Sequence, residues 1–297
     1  MVNMAKVGIV IVNYNGEKFQ NECIASLKKM DYQDYEVIVV DSGSTDNSIK
    51  ILRENYPDVH ILKQNNNVGV AVGNNIGIDY SIKCGTEYTL LMNNDVELDY
   101  KMLSIMLENA DEHTVVVPKI YYYNPSDILW FAGGKMNWRE ATGEHIGLGE
   151  RDEEQYNKIR EIDYSPTCCM LIHNSIFRKI GKVEEKTFMY FDDTDLCVRI
   201  IDSGNKIKYI PMAKMWHKVS SSSGGEKSKY FVYYNTRNHF YFMDKYKNKI
   251  KWNTKLYVGF KYLIKYFLSP IRCKNERYIL KAYKDYKNNI FGRVDDL

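Results

Sequence analysis

Long hydrophobic runs are missing from this sequence of 297 residues. No stretch approaches the ~20 consecutive apolar residues that a membrane-spanning helix needs, and the N-terminus does not have the pattern of a signal peptide. The six cysteines are scattered through apolar stretches and show no CxxC spacing. We therefore expect free, buried thiols in a cytoplasmic protein.

Two glycine-rich phosphate-binding motifs are also absent. No GxGxxG follows the first apolar run, and no GxxxxGKS/T occurs anywhere in the chain. These motifs supply the phosphate cradle of dinucleotide-dependent oxidoreductases and of P-loop NTPases. Their absence argues against both classes.

The charge is distributed unevenly along the chain. Residues 1–225 contain 24 Lys and Arg against 32 Asp and Glu, a net charge of −8, whereas residues 226–297 contain 17 against 6, a net charge of +11. With 44% hydrophobic and 27% charged residues, the composition is that of a globular protein. The length suits one large α/β domain with an appendage, and the basic tail indicates an anionic surface as a partner.

Short apolar runs alternate with helical patterns through the first 113 residues. The apolar runs are 7–12, 37–40, 59–62 and 88–92, and the helical patterns are 19–27, 49–52 and 70–84. This alternation predicts an α/β fold with a mostly parallel sheet covered by helices. Further on, the pattern predicts strands at 115–117 and 168–172, hairpins and loops over 128–149, and helices beyond 226.

Polar residues follow three of the predicted strands directly. They are Asn13 and Asn15, the segment 41–46, and the segment 93–95. Ligands of parallel α/β sheets bind outside the carboxyl ends of the strands. Asp41 and Asp95 at these ends suit a nucleotide whose phosphates are bridged by a divalent cation, with an Asn carbonyl as a further oxygen ligand.

An acidic cluster follows the aromatic run 188–191. Asp192, Asp193 and Asp195 stand within four positions and precede a helical pattern that begins at Leu196. Asp favours helix starts over helix interiors, so the cluster is expected at a loop-to-helix junction. Like charges this close favour a cation, a substrate proton or a cationic partner nearby. A helix cap with extra surface charge is the alternative.

Five separated segments resemble the family 2 glycosyltransferases of the GT-A fold, especially the bacterial rhamnosyltransferase-like members. The segments are 10–15, 39–46, 67–77, 91–95 and 191–196, and the resemblance spans roughly residues 5–225. It implies a Rossmann-like GT-A catalytic domain over 1–225, with helices on both faces of the sheet. The nucleotide-binding half would cover about 1–113 and the acceptor half about 114–225, followed by a C-terminal helical, basic extension over 226–297.

The resemblance also implies a set of donor-binding residues. These are Val12, Asn13, Tyr14, Asn15, Asp41, Ser44, Asn67, Gly69, Asn75, Asn93, Asn94 and Arg237. Asp41 would contact the nucleotide base or ribose, and the glycines of segment 67–77 would let their helix pack close to the nucleotide. For Arg237, a phosphate contact and a structural salt bridge both remain open.

The remaining roles concern metal binding and catalysis. Segment 91–95 stands in the place of the family's DxD motif, with Asn93 replacing its first acid. By the resemblance, Asp95 and His217 would hold a divalent cation, Mg²⁺ or Mn²⁺. Asp193 would be the catalytic base, with Asp192 orienting the acceptor or tuning its charge. The serine-glycine run 220–225 resembles a loop that closes over the donor.

The function implied is inverting transfer of a sugar from a nucleoside diphosphate sugar to a hydroxyl of a glycan or lipid-linked acceptor, in surface polysaccharide synthesis. UDP- and dTDP-linked donors are the leading candidates, with rhamnose or a hexose as the sugar. A retaining enzyme would need a second carboxylate as nucleophile, which the sequence does not exclude. The alternatives are an inactive sugar-nucleotide-binding or scaffold subunit, and a sugar-nucleotide nucleotidyltransferase.

The basic tail contains one amphipathic helical pattern. One face carries Leu256, Phe260, Leu263, Ile264, Phe267 and Leu268, with Lys255, Lys261 and Lys265 elsewhere. The apolar face could dock on the catalytic body, or it could lie on an anionic membrane. The second interpretation predicts peripheral contact with the inner face of the plasma membrane. No recognition motif for nucleic acid is present.

Overall fold

The computed structural model describes residues 6–218 and 227–297. Its strands are β1 Val7–Asn13, β2 Tyr35–Asp41, β3 His60–Lys63, β4 Tyr88–Met92, β5 Val96–Leu98, β6 Thr114–Tyr122, β7 Leu129–Phe131, β8 Gly134–Asn137, β9 Thr142–His145, β10 Arg160–Ile162, β11 Cys169–His173 and β12 Lys206–His217. Its helices are α1 Glu17–Lys28, α2 Ser48–Asn55, α3 Gly69–Lys83, α4 Met102–Glu108, α5 Asn174–Ile180, α6 Asp192–Asp202, α7 Lys229–Lys245, α8 Trp252–Arg272 and α9 Tyr278–Lys287. Two short 3₁₀ helices cover Glu185–Thr187 and Lys274–Arg277.

The main sheet has the strand order β10-β12-β6-β11-β4-β1-β2-β3. Strands β4, β1, β2 and β3 pair in parallel, as the alternating pattern predicted. Strand β11 is antiparallel to both β4 and β6, and β12 is parallel to β6. The predicted α/β sheet is therefore confirmed, and the second half of the chain extends it with strands of mixed direction.

The glycines of α3 let this helix approach the sheet closely. A Cβ at Gly77 would lie 2.1 Å from Val10 Cγ1, and one at Gly73 would lie 2.8 Å from Val12 Cγ1. The resemblance implied that these glycines bring the helix close to the nucleotide. The structure corrects this expectation, because Gly73 and Gly77 face β1, whose side chains fill the space that larger residues would need.

The second half of the chain forms more regular structure than its sequence predicts. The strand expected at 115–117 extends over Thr114–Tyr122, and the segment expected to form hairpins and loops contains the hairpin β8–β9. Helix α5 and the 12-residue strand β12 were not predicted. Strand β12 pairs with β5, β6 and β10 along its length, so it ties the outer strands to the rest of the sheet.

The C-terminal helices follow the predicted helical pattern, but α8 packs through an unexpected face. Thr254, Val258 and Tyr262 face the protein, and Val258 and Tyr262 join a buried cluster with Phe242 of α7. The predicted apolar face, represented by Phe260 and by other residues described below, is exposed. Docking of that face on the catalytic body, one of the two interpretations of the tail, is therefore wrong. Across the described part of the chain, no helix meets the length and apolarity that a bilayer crossing requires.

Candidate active site

The carboxyl ends of β1, β2 and β4 meet at one edge of the sheet. In the strand register Asn13 lies opposite Asp41, and Met92 lies opposite Ile11. The segment 93–95 therefore begins beside the end of β1. The prediction that these strand-end polar residues lie together is confirmed by this register.

Asn13 is the centre of a buried polar network at this edge. Its Nδ2 lies 3.1 Å from each of three oxygens, on Asp41, Ser44 and Ser48. Its Oδ1 accepts a hydrogen bond from Asn94 Nδ2 at 2.9 Å. Asn13 and Asp41 are fully buried. Asn13 and Asp41 therefore stabilise the strand ends through these hydrogen bonds, because a buried polar group needs such partners.

The turn after β1 presents its polar groups toward solvent. The backbone N–H of Asn15 donates to Ser44 Oγ at 2.9 Å, and Asn15 Oδ1 accepts from Thr45 N at 2.8 Å. Tyr14 is 47% exposed, and Val12 is partly buried. Tyr14 and Asn15 are therefore the members of the predicted donor set that a ligand at this edge can reach most directly.

Asp95 and His217 form a buried pair beyond β4. His217 Nε2 lies 3.0 Å from Asp95 Oδ1, and Asn93 Nδ2 lies 3.4 Å from the same imidazole nitrogen. His217 is the last residue of β12 and lies next to Asp95, because the strand register places it opposite Val96 of β5. Both side chains are more than nine-tenths buried. The two residues predicted as metal ligands are thus adjacent, although 122 positions separate them in the chain.

These two residues fit a divalent cation as part of a site. His217 Nδ1 is buried without a hydrogen-bond partner, and a carboxylate beside an imidazole suits Mn²⁺ or Mg²⁺. No group of three or more His, Cys, Asp or Glu residues able to hold a metal occurs in the ranges 6–218 and 227–297. Within the described residues, Asp95 and His217 are the candidate ligands, and a cation held there would take further ligands from a bound diphosphate and water.

The acidic cluster begins α6, as predicted from the helix preference of Asp. Asp192, Asp193 and Asp195 occupy its first turn, where the helix dipole favours negative charge. Asp193 Oδ1 accepts from Thr194 N at 2.6 Å, and Asp193 Oδ2 accepts from Tyr164 OH at 2.9 Å. Asp195 instead pairs with Arg199 at 2.7 Å, so Asp195 has a structural role.

Burial changes the acidity of the two remaining aspartates. The pKa of Asp192 is raised to about 7, because burial disfavours its charge and the neighbouring Asp193 carboxylate adds repulsion. Burial also raises the pKa of Asp193, while the hydrogen bonds from Tyr164 and Thr194 act in the opposite direction. Raised carboxyl pKa values bring a base closer to neutral pH, where general-base catalysis is most effective.

The chain before α6 has an unusual backbone. Phe188, Tyr190 and Phe191 have φ values of 63–65°, a left-handed region that is strained for bulky side chains. Asn238 of α7 holds this segment, because its Nδ2 donates to the carbonyls of Thr187 at 2.8 Å and of two further residues, Met189 and Tyr190. The strain lies directly before the acidic pair and is supported by α7.

A short segment before β11 joins the acidic pair to the strand ends. Asn93 N donates to the Cys168 carbonyl at 3.1 Å, and the neighbouring Thr167 side chain acts to lower the pKa of Asp192. Both Asp95 and Asp193 raise the pKa of the buried Cys168 thiol, after the larger effect of burial itself. The structure thus brings Asp192 and Asp193 to the same region as Asn93 and Asp95.

A row of aromatic rings spans the same region. The ring of Trp130 packs edge-on against His217 and His145, with centroids 4.7 and 4.6 Å apart. His145 lies 5.8 Å from the ring of Tyr164, whose hydroxyl holds Asp193. Sequence reasoning missed Trp130, His145 and Tyr164. The only signal was the glycine-rich, aromatic character of 128–149, where a Cβ at Gly143 would lie 2.3 Å from the Tyr164 ring.

Asn67 and Gly69 start α3 beside the strained segment. Asn67 Oδ1 accepts from Gly69 N at 2.9 Å, and Gly69 has a φ of +78°. A Cβ at Gly69 would lie 2.4 Å from the Phe188 ring. Gly69 is therefore required by its backbone and by Phe188, and a donor contact stays a prediction for both residues.

Two members of the predicted donor set are corrected. Asn75 is buried, exchanges hydrogen bonds with the backbone of Val183 at 2.8 and 2.9 Å, and donates to Glu185. The Arg237 guanidinium is fully buried and donates to the carbonyls of three residues: Lys186, Thr187 and Gly292. Both side chains are committed to protein partners, so neither the donor contact of Asn75 nor a phosphate contact or salt bridge of Arg237 is supported. The serine-glycine run 220–225, which resembles a loop that closes over the donor, lies outside the described residues.

The sequence and the fold are similar to those of known proteins. Residues 8–181 match the model of glycosyl transferase family 2. The chain is 26% identical over 240 residues to a low-salt glycan biosynthesis hexosyltransferase, Agl10, of Haloferax volcanii, covering 79% of this chain and 74% of that protein. It is 22% identical over 259 residues to an N-acetylglucosaminyl-diphospho-decaprenol L-rhamnosyltransferase of Mycobacterium tuberculosis, covering 80% and 84%.

Solved structures of glycosyltransferases share the fold. GalNAc-T7 with UDP, GalNAc and Mn²⁺ superposes with a TM-score of 0.67 at 13% identity, covering 98% of this chain and 57% of that chain. S. aureus TarS 1-349 in complex with UDP-GlcNAc superposes with a TM-score of 0.58 at 17% identity, covering 96% and 81%. The predicted GT-A fold is confirmed by these neighbours.

Proposed function

The chain belongs to glycosyl transferase family 2, and on this premise we propose that it is an inverting, divalent-cation-dependent glycosyltransferase. Its donor would be a UDP- or dTDP-linked sugar, with rhamnose or a hexose as the sugar. The observation that carries the proposal is the placement of Asp193. This carboxylate, only partly buried, lies at the start of α6 near the strand ends that carry Asn93 and Asp95.

Asp193 has the properties of a general base. Its Oδ2 accepts one hydrogen bond, from Tyr164, and a carboxylate oxygen can accept two, so one position stays available for an acceptor hydroxyl. Burial raises the pKa of Asp193, which strengthens it as a base. The hydroxyl would lose its proton to Asp193 as its oxygen attacks the anomeric carbon, and the bond from that carbon to the diphosphate would break.

The leaving diphosphate requires a positive partner. Asp95 and His217 would hold the cation, with Asn93 as a neighbouring amide, and a bound Mg²⁺ or Mn²⁺ would neutralise the charge that develops on the diphosphate. Asn93 in place of an acid removes one negative charge from this set. Tyr14, Asn15 and the buried network around Asn13 would shape the site for the nucleotide.

The acceptor would be a glycan or a lipid-linked sugar in surface polysaccharide synthesis. Two relatives carry names that point this way, one acting in glycan biosynthesis and one on a decaprenol-linked sugar. A lipid-linked acceptor would bring the protein to the cytoplasmic face of the plasma membrane. That location is part of the proposal.

Asp193→Asn is the experiment that tests the base. We expect at least a hundredfold loss of turnover, because a positioned base contributes ~10²–10⁴-fold, with donor affinity within a factor of about two of the parent. Turnover would be followed as release of UDP or dTDP from a panel of UDP- and dTDP-sugars in the presence of Mn²⁺, and donor affinity by calorimetry. Asp202→Asn, an exposed position at the other end of α6, is the matched control and should retain activity.

An inactive sugar-nucleotide-binding subunit is the second candidate, and the replacement of an acid by Asn93 favours it. Such a subunit would bind a donor without releasing diphosphate under any of these conditions. That result, or near-normal turnover of Asp193→Asn, would contradict the proposed function.

A further inference from the structure

Helix α8 presents most of its bulky apolar residues to solvent. Toward the body it uses Thr254 and Val258, together with Tyr262, whose hydroxyl lies 3.1 Å from His239 Nδ1. The opposite face exposes Trp252 at 78%, Phe260 at 64% and Phe267 at 70% of their surfaces, and it continues through Leu256, Leu263 and Ile264. Helices of a stable domain bury such a face, and an exposed apolar patch of this kind marks an interaction surface.

A cavity of about 560 Å³ adjoins this face, between α7, α8 and α9. Its lining includes Met243 of α7, Leu263 and Phe267 of α8, and Ile279 and Tyr283 of α9. Leu263 and Phe267 therefore belong to both the exposed face and the cavity, so the two surfaces are continuous. The charged residues in the cavity lining, Asp244 and Lys255, pair with each other. The volume lies in the range of ~300–1,000 Å³ that is typical of small-molecule sites.

The exposed charged residues in and next to α8 and α9 are mostly basic. Exposed basic residues lie before α8 (Lys251), directly after it (Lys274 and Arg277) and on α9 (Lys284 and Lys287). Charge of this sign complements anionic lipid headgroups rather than a second copy of the same basic surface, which it would repel.

Helix α8 has the length of a bilayer-spanning helix, 21 residues, but it carries lysines at 255, 261 and 265. Such a helix lies in the interface with its apolar residues among the acyl chains, while Lys255 and Lys261 pair with Asp244 and Glu140 of the protein. Tyr257 Oη donates to Glu140 at 2.9 Å, and Lys261 pairs with the same carboxylate. Glu140 lies in the turn of the β8–β9 hairpin, whose Gly143 packs on Tyr164 beside Asp193.

We propose that the outer face of α8 docks on an anionic phospholipid bilayer and that the adjoining cavity takes up one acyl chain from it. This orientation places the membrane surface on the side of the hairpin that supports the active-site carboxylate. A sugar carried on a membrane lipid would then reach the site without leaving the bilayer. The proposal concerns lipid binding alone, so its failure would leave the proposed transfer reaction intact.

Co-sedimentation with vesicles tests the face. The full chain is mixed with vesicles of phosphatidylglycerol and phosphatidylcholine, or of phosphatidylcholine alone, with no donor or acceptor present. We expect binding to the anionic vesicles that weakens as salt is raised, and at least tenfold weaker binding for Phe260→Glu and Phe267→Glu. Leu148→Glu, on a similarly exposed apolar residue of the catalytic body, is the matched control and should bind like the parent.

Gly259→Leu tests the cavity. Gly259 lines it, and a Cβ there would meet no atom within 4 Å, so a larger side chain has open space into which it can extend. We expect several-fold weaker binding to anionic vesicles with a melting temperature no lower than that of the parent, because Leu favours a helix interior more than Gly does. Unchanged binding would overturn the uptake of an acyl chain. Equal binding to both vesicle types, or no binding, would overturn membrane docking. So would a dimer in light scattering that Phe260→Glu dissociates, because the face would then belong to a second copy.

Discussion

Replacing Tyr164 by Phe tests how the protein sets the basicity of Asp193. The Tyr164 hydroxyl donates to Asp193 Oδ2 at 2.9 Å, and its ring packs against Gly143. The substitution removes one oxygen and keeps the ring. Because the hydrogen bond stabilises the carboxylate form, its loss raises the pKa of Asp193 further, in the same direction as burial.

The size of the effect follows from the strength of the hydrogen bond. A bond to a charged group contributes ~1.5–3 kcal/mol, and ~1.4 kcal/mol corresponds to a tenfold change in a proton equilibrium. The acid limb of the pH–rate profile should therefore move to higher pH by about 1 to 2 pH units. At pH values below the acid limb, the activity of the variant should be about 10–100-fold lower than that of the parent. At pH values above the limb, the two activities should be similar.

The assay is kcat/KM for diphosphate release across the pH range, with donor affinity measured separately. Tyr156→Phe is the control, because the Tyr156 hydroxyl bonds to Glu150 at 2.9 Å, a residue outside the candidate site. A loss of equal size at every pH would refute the reasoning, since Tyr164 would then support structure rather than the acidity of Asp193. An unmoved limb with full activity would show that Asp193 is not the group that titrates.

Three further predictions concern stability. Gly69→Ala should lower the free energy of unfolding in urea by at least ~1 kcal/mol more than Gly85→Ala does. Both positions have positive φ, 78° and 75°, but only at Gly69 would the new Cβ contact Phe188. Equal losses would contradict this prediction. Arg237→Met should lower the free energy of unfolding by on the order of 3 kcal/mol, because buried carbonyls lose their hydrogen-bond donor. Calorimetry of the folded protein should show unchanged affinity for the sugar donor. Weaker binding of the sugar donor would instead support a phosphate contact of Arg237. Asp192→Asn should raise the melting temperature more at about pH 8 than at about pH 5. The reason is that a carboxyl group with a raised pKa in the folded state destabilises the fold as pH rises. An increase in melting temperature that is the same at both pH values would show that the pKa of Asp192 is not raised.

Local patterns in the sequence were sufficient for the first half of the fold. Strands β1 and β2 were recognisable as β-branched apolar runs and β4 as an apolar run, because strands of a parallel sheet are buried on both faces. The polar turns at their ends could be placed together from the strand pattern alone, since parallel strands end at the same edge. The acidic residues at the start of α6 followed from the preference of Asp for helix starts.

The roles of several residues depended on partners far away in the chain. Asn75 hydrogen-bonds to Val183, and Arg237 hydrogen-bonds to the carbonyls of Lys186 and Thr187. The sequence motifs suggested that both residues contact the ligand, whereas in the fold both hold other parts of the protein. Tyr164 has no motif of its own, and it matters because the β8–β9 hairpin presses its ring into place beside Asp193.

The amphipathic pattern of α8 shows the same division. Sequence alone determined that one face of this helix is apolar, because side-chain direction follows the turn of about 100° per residue. It could not determine which face meets the protein, because that choice depends on the shape of α7 and of the β8–β9 hairpin. In the folded protein Thr254, Val258 and Tyr262 pack against the rest of the protein, and the apolar face of α8 is exposed. Periodicity is a local property of the chain, whereas burial is decided by what the rest of the chain places opposite.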